Sequence, residues 1–159
     1  MLATRIHHLE QEIADLGHDL DRITQAVAPT LRAAQGIGAD NAAALLIAAG
    51  DNPERLRSEA AFAALCGAAP IPASTGNRNR HRLNRGGNRQ ANCALFRIAL
   101  TRLRRDPRTK AYAQKRTEEG KTKREILRCL KRFIAREVFR MLVPKPRETQ
   151  PSGGELTTA

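Results

Sequence analysis

The residues with the clearest chemical potential in this chain of 159 residues lie in one stretch, "PASTGNRNRHRLNRGGNRQ", residues 72–90. Ser74 and Thr75 place two hydroxyls just before a glycine, and His81 is the nearby titratable side chain. A serine at such a turn could attack a phosphodiester while guanidinium groups neutralise the phosphoryl oxygens and a histidine removes the proton. The guanidinium groups belong to Arg78, Arg80, Arg82, Arg85 and Arg89.

The same loop could bind phosphate without cutting it, and this alternative is favoured because arginine clusters more often hold nucleic acid than cleave it. No G-K-[ST] follows the glycines, and the chain has no H-E-x-x-H, paired-carboxylate or G-x-S-x-G motif. Aromatic side chains for base stacking are scarce. The catalytic candidate is Ser74, with Thr75 as the alternative. The nucleic-acid-binding candidates are Gly36, Gly38, Arg78, Arg80, His81, Arg82, Arg85, Asn88 and Arg89.

The charge distribution supports a polyanionic partner. The net charge is +12, from 28 Lys and Arg against 16 Asp and Glu. No acidic residue occurs between Glu59 and Asp106, which predicts a surface that faces DNA or RNA phosphates. Nine arginines fall in that interval: Arg78, Arg80, Arg82, Arg85, Arg89, Arg97, Arg102, Arg104 and Arg105.

The three cysteines are too widely spaced for a disulfide framework or a zinc site. We expect Cys66, Cys93 and Cys129 to be reduced core residues, with no metal bound by this chain. The sequence has no apolar run long enough to span a bilayer and no signal-peptide pattern, so we expect a cytoplasmic protein.

The first 29 residues carry a heptad pattern. Apolar residues recur at alternating spacings of four and three, which is typical of a coiled coil that joins protomers. An amphipathic helix packed on its own domain is the alternative. The seam comprises Leu2, Ile6, Leu9, Ile13, Leu16, Leu20, Ile23 and Val27, and Pro29 ends the segment.

Residues 30–143 are predicted to form a compact helical domain, so the fold class is all-α. Gly36-Ile37-Gly38 between two helices has the outline of a helix-hairpin-helix element, which holds a DNA phosphate through backbone amides. A tight turn between core helices is equally compatible with the spacing. Asp40 is the expected N-cap of the second of these helices, and Gly50 is expected to end it.

Capping residues mark the other helices. Ser58 is expected to begin a helix that ends at Gly67, and Pro70 and Pro72 then force extended backbone. A long helix is predicted from about Asn88, with its core face formed by Ala91, Ala94, Leu95, Ile98, Ala99 and Leu103. Two further helices start at Asp106-Pro107 and at the capping box "TKRE", residues 122–125, and Gly120 separates them. Residues 144–159 are predicted to form a disordered tail.

Taken in order, these segments resemble a known family. "GIGADNAAALLIAAGD", "FAALCGAAPIPASTGNRNRHRLNRGGNRQANCALF" and "GKTKREILRCLKRFIAREVFRML" are similar to the C-terminal transposase domain of the DEDD-type insertion-sequence transposases. That family is named for insertion sequence one-ten and is related to the Piv/MooV DNA invertases. The resemblance covers about residues 31–143.

The resemblance implies DNA transposition through a serine that becomes covalently linked to DNA, and Ser74 occupies that position here. It also implies a structured guide RNA, a coiled coil that assembles protomers, and a RuvC-like N-terminal half whose four acids bind Mg²⁺. Because this sequence starts in the coiled coil, we expect the Mg²⁺-binding domain to be missing and the chain to be truncated and inactive alone. A non-catalytic nucleic-acid-binding protein, or a regulatory fragment that oligomerises with full-length transposase, is the alternative.

Overall fold

The computed structural model describes residues 1–50, 56–72, 81–82 and 84–143. Within these ranges the chain forms seven helices and one two-stranded ladder, which confirms the all-α prediction. The predicted tail, residues 144–159, lies outside the described residues. The elements are α1 (Leu2–Val27), α2 (Pro29–Ala33), α3 (Ala39–Ala49), α4 (Glu59–Leu65), β1 (Ile71–Pro72), β2 (His81–Arg82), α5 (Arg89–Arg105), α6 (Pro107–Glu118) and α7 (Lys123–Leu142).

Most of the predicted helix starts are confirmed by their caps. The side chain of Ser58 accepts a hydrogen bond from the Ala61 amide at 3.1 Å, and that of Asn88 accepts one from the Ala91 amide at 3.0 Å. Thr122 forms the expected capping box with Glu125. These side chains satisfy amides that have no partner inside their helices.

The predicted cap of α3 was wrong by two residues. Gly38, not Asp40, is the N-cap, because its extended backbone (φ −82°, ψ 174°) turns the chain into the helix and its carbonyl accepts from the Ala42 amide at 2.9 Å. Asp40 lies in the first turn instead, where its negative charge complements the positive end of the helix dipole. Gly50 ends the helix as expected, with φ +70°.

The core is built mainly around α5 and α7. Helix α3 packs on α5, α4 packs on α7, and α5 and α7 pack on each other. The aromatic rings of Phe62 and Phe139 lie 6.3 Å apart across the α4–α7 contact. Burial of these apolar side chains is the main favourable term in the stability of the domain. The largest fully buried apolar side chains are Phe62, Leu31, Leu45, Leu95, Ile98 and Val138.

Helix α1 is continuous over the whole heptad segment, but its apolar seam is largely uncovered. Leu2 is 83% exposed and Ile13 69%, whereas Leu20 near the C-terminal end is half-buried where α1 packs on α3. The helix is therefore confirmed, and the coiled coil stays a prediction. The uncovered seam is a long apolar surface that this one chain does not fill.

Arg102 is a structural residue although it belongs to the acid-free interval. Its two terminal nitrogens donate to the carboxylate of Glu137 on α7 at 2.6 and 3.0 Å, and its Nε donates to the Gln35 carbonyl at 2.8 Å. This bidentate pair joins α5 to α7 and to the turn before α3. Arginine content alone did not reveal that this guanidinium group faces a carboxylate.

We expect Arg102→Ala to lower the free energy of unfolding by about 2 kcal/mol, because charged hydrogen bonds are worth roughly 1.5–3 kcal/mol. Denaturant unfolding followed by circular dichroism measures the change. Arg104→Ala is the matched control, since Arg104 is exposed on the same helix and pairs with no carboxylate among the described residues. Equal losses in both variants would contradict the assignment.

Candidate nucleic-acid interface

The end of the arginine-rich loop is hydrogen-bonded to the C-terminal end of α4. The Asn84 side-chain amide donates to the Ala64 carbonyl at 3.0 Å, and the Asn88 backbone amide donates to the Leu65 carbonyl at 2.7 Å. The side chain of Asn84 also accepts from the Gly86 amide at 3.0 Å. Since carbonyls in the last turn of a helix lack partners within it, these bonds satisfy groups that would otherwise be unpaired.

Two glycines allow this close approach. Gly67, just after α4, has a φ of +65°, and a Cβ placed on Gly87 would lie closer than 3.0 Å to the backbone nitrogen and Cα of Gly67. The two backbones are therefore in direct contact. Any side chain at Gly87 would push the loop away from α4.

Asn92 connects this contact to a buried lysine. Its side-chain amide donates to the Cys66 carbonyl at 2.8 Å, and its Oδ1 accepts from Lys131 Nζ at 2.9 Å. Lys131 is only 8% exposed. Burial, and secondly repulsion by Arg128, lower the pKa of Lys131 below its usual range. Burial also raises the pKa of the Cys66 thiol to about 12, so this thiol stays protonated at neutral pH.

Two cavities adjoin the contact, and Gly67 lines both. We name the larger one, of about 540 Å³, the loop groove; it is lined by Gly67, Asn84, Arg85, Gly87, Arg89, Asn92, Cys93 and Phe96. We name the smaller one, of about 120 Å³, the ribbon pocket. It is lined by Gly67, Ala68, Ala69, Pro70, His81, Arg82, Arg128, Cys129, Lys131 and Arg132. Among the described residues, neither lining contains an aspartate or glutamate.

The structure divides the predicted loop residues between the two cavities. His81 and Arg82 form β2, which pairs antiparallel with β1 and lines the ribbon pocket, while Arg85 and Arg89 line the loop groove. Asn88 caps α5 and lines neither. The prolines predicted extended backbone before the loop, but the pairing of Ile71 with Arg82 and of Pro72 with His81 was not predicted. Ser74, Thr75, Arg78 and Arg80 lie outside the described residues.

The predicted hairpin glycines have different surroundings. Gly36 has a φ of +81°, and a Cβ there would lie 3.4 Å from Arg102 Cγ, so this turn packs against α5. A Cβ at Gly38 would have no atom within 4 Å, but the acidic Asp40 follows two residues later. Neither glycine lines the two cavities. These contacts favour the tight turn between core helices over a phosphate-binding hairpin.

Cys93 was expected in the core and is exposed instead. It follows Ala91 by two residues, about 200° around a helix of 3.6 residues per turn, and therefore lies opposite the buried face of α5. The other two cysteines are buried or half-buried, and all three are free.

Sequence reasoning missed the contribution of α7. Arg128, Lys131 and Arg132 bring three cations to the ribbon pocket. A signal was present, because arginines recur at every fourth position, which places them on neighbouring turns of one helix. This stripe comprises Arg124, Arg128, Arg132, Arg136 and Arg140. Its last two members lie near the Glu59 carboxylate, at 3.8 and 2.6 Å respectively, and the first three pair with no carboxylate among the described residues.

A magnesium site does not fit the described residues. In residues 1–50, 56–72, 81–82 and 84–143, no three His, Cys, Asp or Glu side chains come close enough together to hold a metal ion. The cationic lining of both cavities would also repel a divalent cation.

Comparison with known proteins identifies the family. The family model described as Transposase IS116/IS110/IS902 family matches residues 28–114, which is more than half of the chain. The chain belongs to this family. The match runs from the end of α1 into α6 and includes all the residues that line the loop groove.

A relative from Streptomyces coelicolor, described as insertion element IS110 uncharacterized 43.6 kDa protein, is 29% identical to this chain over 144 residues. The alignment covers 89% of the chain and 35% of the relative, so the chain spans about a third of that protein's length.

None of the described helices combines the length and hydropathy needed to cross a bilayer.

We expect Gly87→Ala to destabilise the chain by about 1–3 kcal/mol, the usual cost of forcing extra atoms into a packed region. Gly86→Ala is the control, because a Cβ there would lie 3.5 Å from Asn84 Oδ1, an ordinary contact distance. Thermal unfolding measures both. If Gly86→Ala lowered the melting temperature as much as Gly87→Ala, the direct contact with Gly67 would not be what limits substitution.

Proposed function

We propose that this chain is the DNA-binding and strand-transfer part of an insertion-sequence transposase. One observation carries the DNA-binding proposal: the described residues that line the two cavities beside the arginine-rich loop include several cations and no acid. Family membership makes DNA the expected polyanion. Phosphate contacts of this kind position a protein on DNA without reading its sequence.

The ion pairs separate the arginines that hold the fold from those available to a ligand. Arg32 is held by Asp21 and Arg102 by Glu137. Arg82, Arg85 and Arg89 are exposed and pair with no carboxylate in the described ranges. Their charge is therefore available to phosphates, and its attraction adds to the field of a strongly basic chain.

We expect the double variant Arg85→Gln/Arg89→Gln to weaken binding to a 20-base-pair duplex and to reduce the salt slope of log K by about two, roughly one per lost phosphate contact. Fluorescence anisotropy at several salt concentrations measures both quantities. Arg136→Gln/Arg140→Gln is the matched control, because it removes the same charge from side chains next to Glu59. If both double variants lost the same slope, net charge alone would account for binding.

For strand transfer, we propose Ser74 as the nucleophile, with Thr75 as the second candidate. Its oxygen would attack a DNA phosphorus atom, the bond from phosphorus to the leaving oxygen would break, and the serine proton would pass to a base such as His81. The support is the family resemblance and the residue order, since Ser74 follows Pro72 by two positions and Pro72 pairs with His81. We also propose that a structured guide RNA and Mg²⁺ take part in the reaction of the longer family protein, of which this chain matches about a third.

We further propose that the uncovered seam of α1 pairs with a second copy of the chain. The heptad spacing supplies the pattern, and seven of its eight side chains are exposed. Pairing of two such seams would bury them in knobs-into-holes packing. A regulatory fragment that joins full-length transposase would use the same surface.

We expect the purified chain to have a mass above its 17.5 kDa monomer in light scattering after size-exclusion chromatography. Ile13→Lys should raise the dissociation constant at least about tenfold, because it places an unpaired charge in the seam. Ala14→Lys adds the same charge outside the seam and should leave the mass unchanged. A monomeric wild-type chain at high concentration would overturn the proposal.

A further inference from the structure

Lys131 is a buried cation without a counter-charge. It is 8% exposed, and no carboxylate in the described part of the chain pairs with it. An ammonium group has three hydrogen-bond donors, and one of them goes to Asn92 Oδ1. Burying a charge costs free energy unless an opposite charge or several hydrogen bonds compensate it.

The surroundings of Lys131 add positive charge rather than remove it. Arg82, Arg128 and Arg132 line the same ribbon pocket, together with His81. Further along α7, the charge of the arginine stripe is balanced by a carboxylate, because Arg140 donates to Glu59 at 2.6 Å. The two stripe arginines that line the pocket, Arg128 and Arg132, thus differ from Arg136 and Arg140, which lie beside a carboxylate.

The pocket has the size for one small anion. Its volume of about 120 Å³ is well above the space that one water molecule needs. A phosphate group has five non-hydrogen atoms and fits such a space. Guanidinium and ammonium donors are the groups that bind phosphate oxygens most strongly.

We infer that the ribbon pocket binds a single phosphodiester group of a DNA strand, with Lys131 as the buried cation and Arg128 and Arg132 as the outer ones. This inference rests on the proposed function, because it assigns a second phosphate contact on α7 beyond those of the loop. Asn92 holds Lys131 in place from the side of the loop groove.

The test compares Lys131→Met and Arg132→Gln with the control Arg140→Gln. Methionine matches the length of lysine without its charge, and the charge that it removes pairs with no carboxylate among the described residues. Arg132 is a partly exposed second position, so the test does not depend on a core residue alone. The probes are inorganic phosphate, followed by calorimetry at constant ionic strength, and a 20-base-pair DNA duplex, followed by fluorescence anisotropy.

We expect the wild-type chain to bind inorganic phosphate weakly and Lys131→Met to lose this binding. For the duplex, Lys131→Met and Arg132→Gln should each weaken binding about tenfold and lower the salt slope by about one, whereas Arg140→Gln should change neither. Wild-type melting temperature in Lys131→Met would show that the loss is not caused by unfolding.

Duplex binding that is identical in the wild-type chain, Lys131→Met and Arg132→Gln would overturn the inference while leaving the proposed function intact. Phosphate binding that is lost in Lys131→Met, combined with unchanged duplex binding, would also overturn it, since the pocket would then hold a free anion. No duplex binding by the wild-type chain at low salt would contradict the proposed function itself.

Discussion

The backbone contact between Gly67 and Gly87 is the constraint on which the site depends. It brings the end of the arginine-rich loop against the last turn of α4. There Asn84 and Asn88 donate hydrogen bonds to the carbonyls of Ala64 and Leu65, respectively. Gly67 lines both cavities and Gly87 lines the loop groove, so a contact between two residues that have no side chains forms part of the wall of each cavity.

Asn92 makes the two cavities parts of one site. Its side chain lines the loop groove, bonds the Cys66 carbonyl and holds Lys131 of the ribbon pocket. An amide can do this because it carries a donor and an acceptor on one rigid group. A carboxylate at this position would neutralise Lys131 directly, and the pocket would then have less charge to offer a phosphate.

The sequence predicted the elements well where a local signal decides them. Ser58, Asn88 and Thr122 each provide a cap that does not depend on the rest of the fold, and the helices begin where these residues stand. The α3 cap was misplaced because Gly38 and Asp40 are both acceptable N-caps, and the extended backbone at Gly38 decided between them. The short ladder was missed because two residues on each strand leave no periodic pattern.

The candidate site was harder to predict because its residues come together only through tertiary packing. Local composition identified Arg82, Arg85 and Arg89, but it could not separate them from Arg102, whose partner Glu137 lies 35 residues away. It also missed Lys131, which looks like one more exposed cation of a basic helix until its burial is known.

The separation of structural from available cations explains how so basic a chain can be stable and still offer positive charge to a polyanion. Pairs such as Arg102 with Glu137 and Arg140 with Glu59 use acids to join helices and cancel repulsion inside the fold. Arg82, Arg85 and Arg89 beside the loop and Arg128, Lys131 and Arg132 on α7 are left without counter-charges among the described residues. A ligand with regularly spaced negative charges would supply them, so binding should stabilise this face in particular and raise the lowered pKa of Lys131.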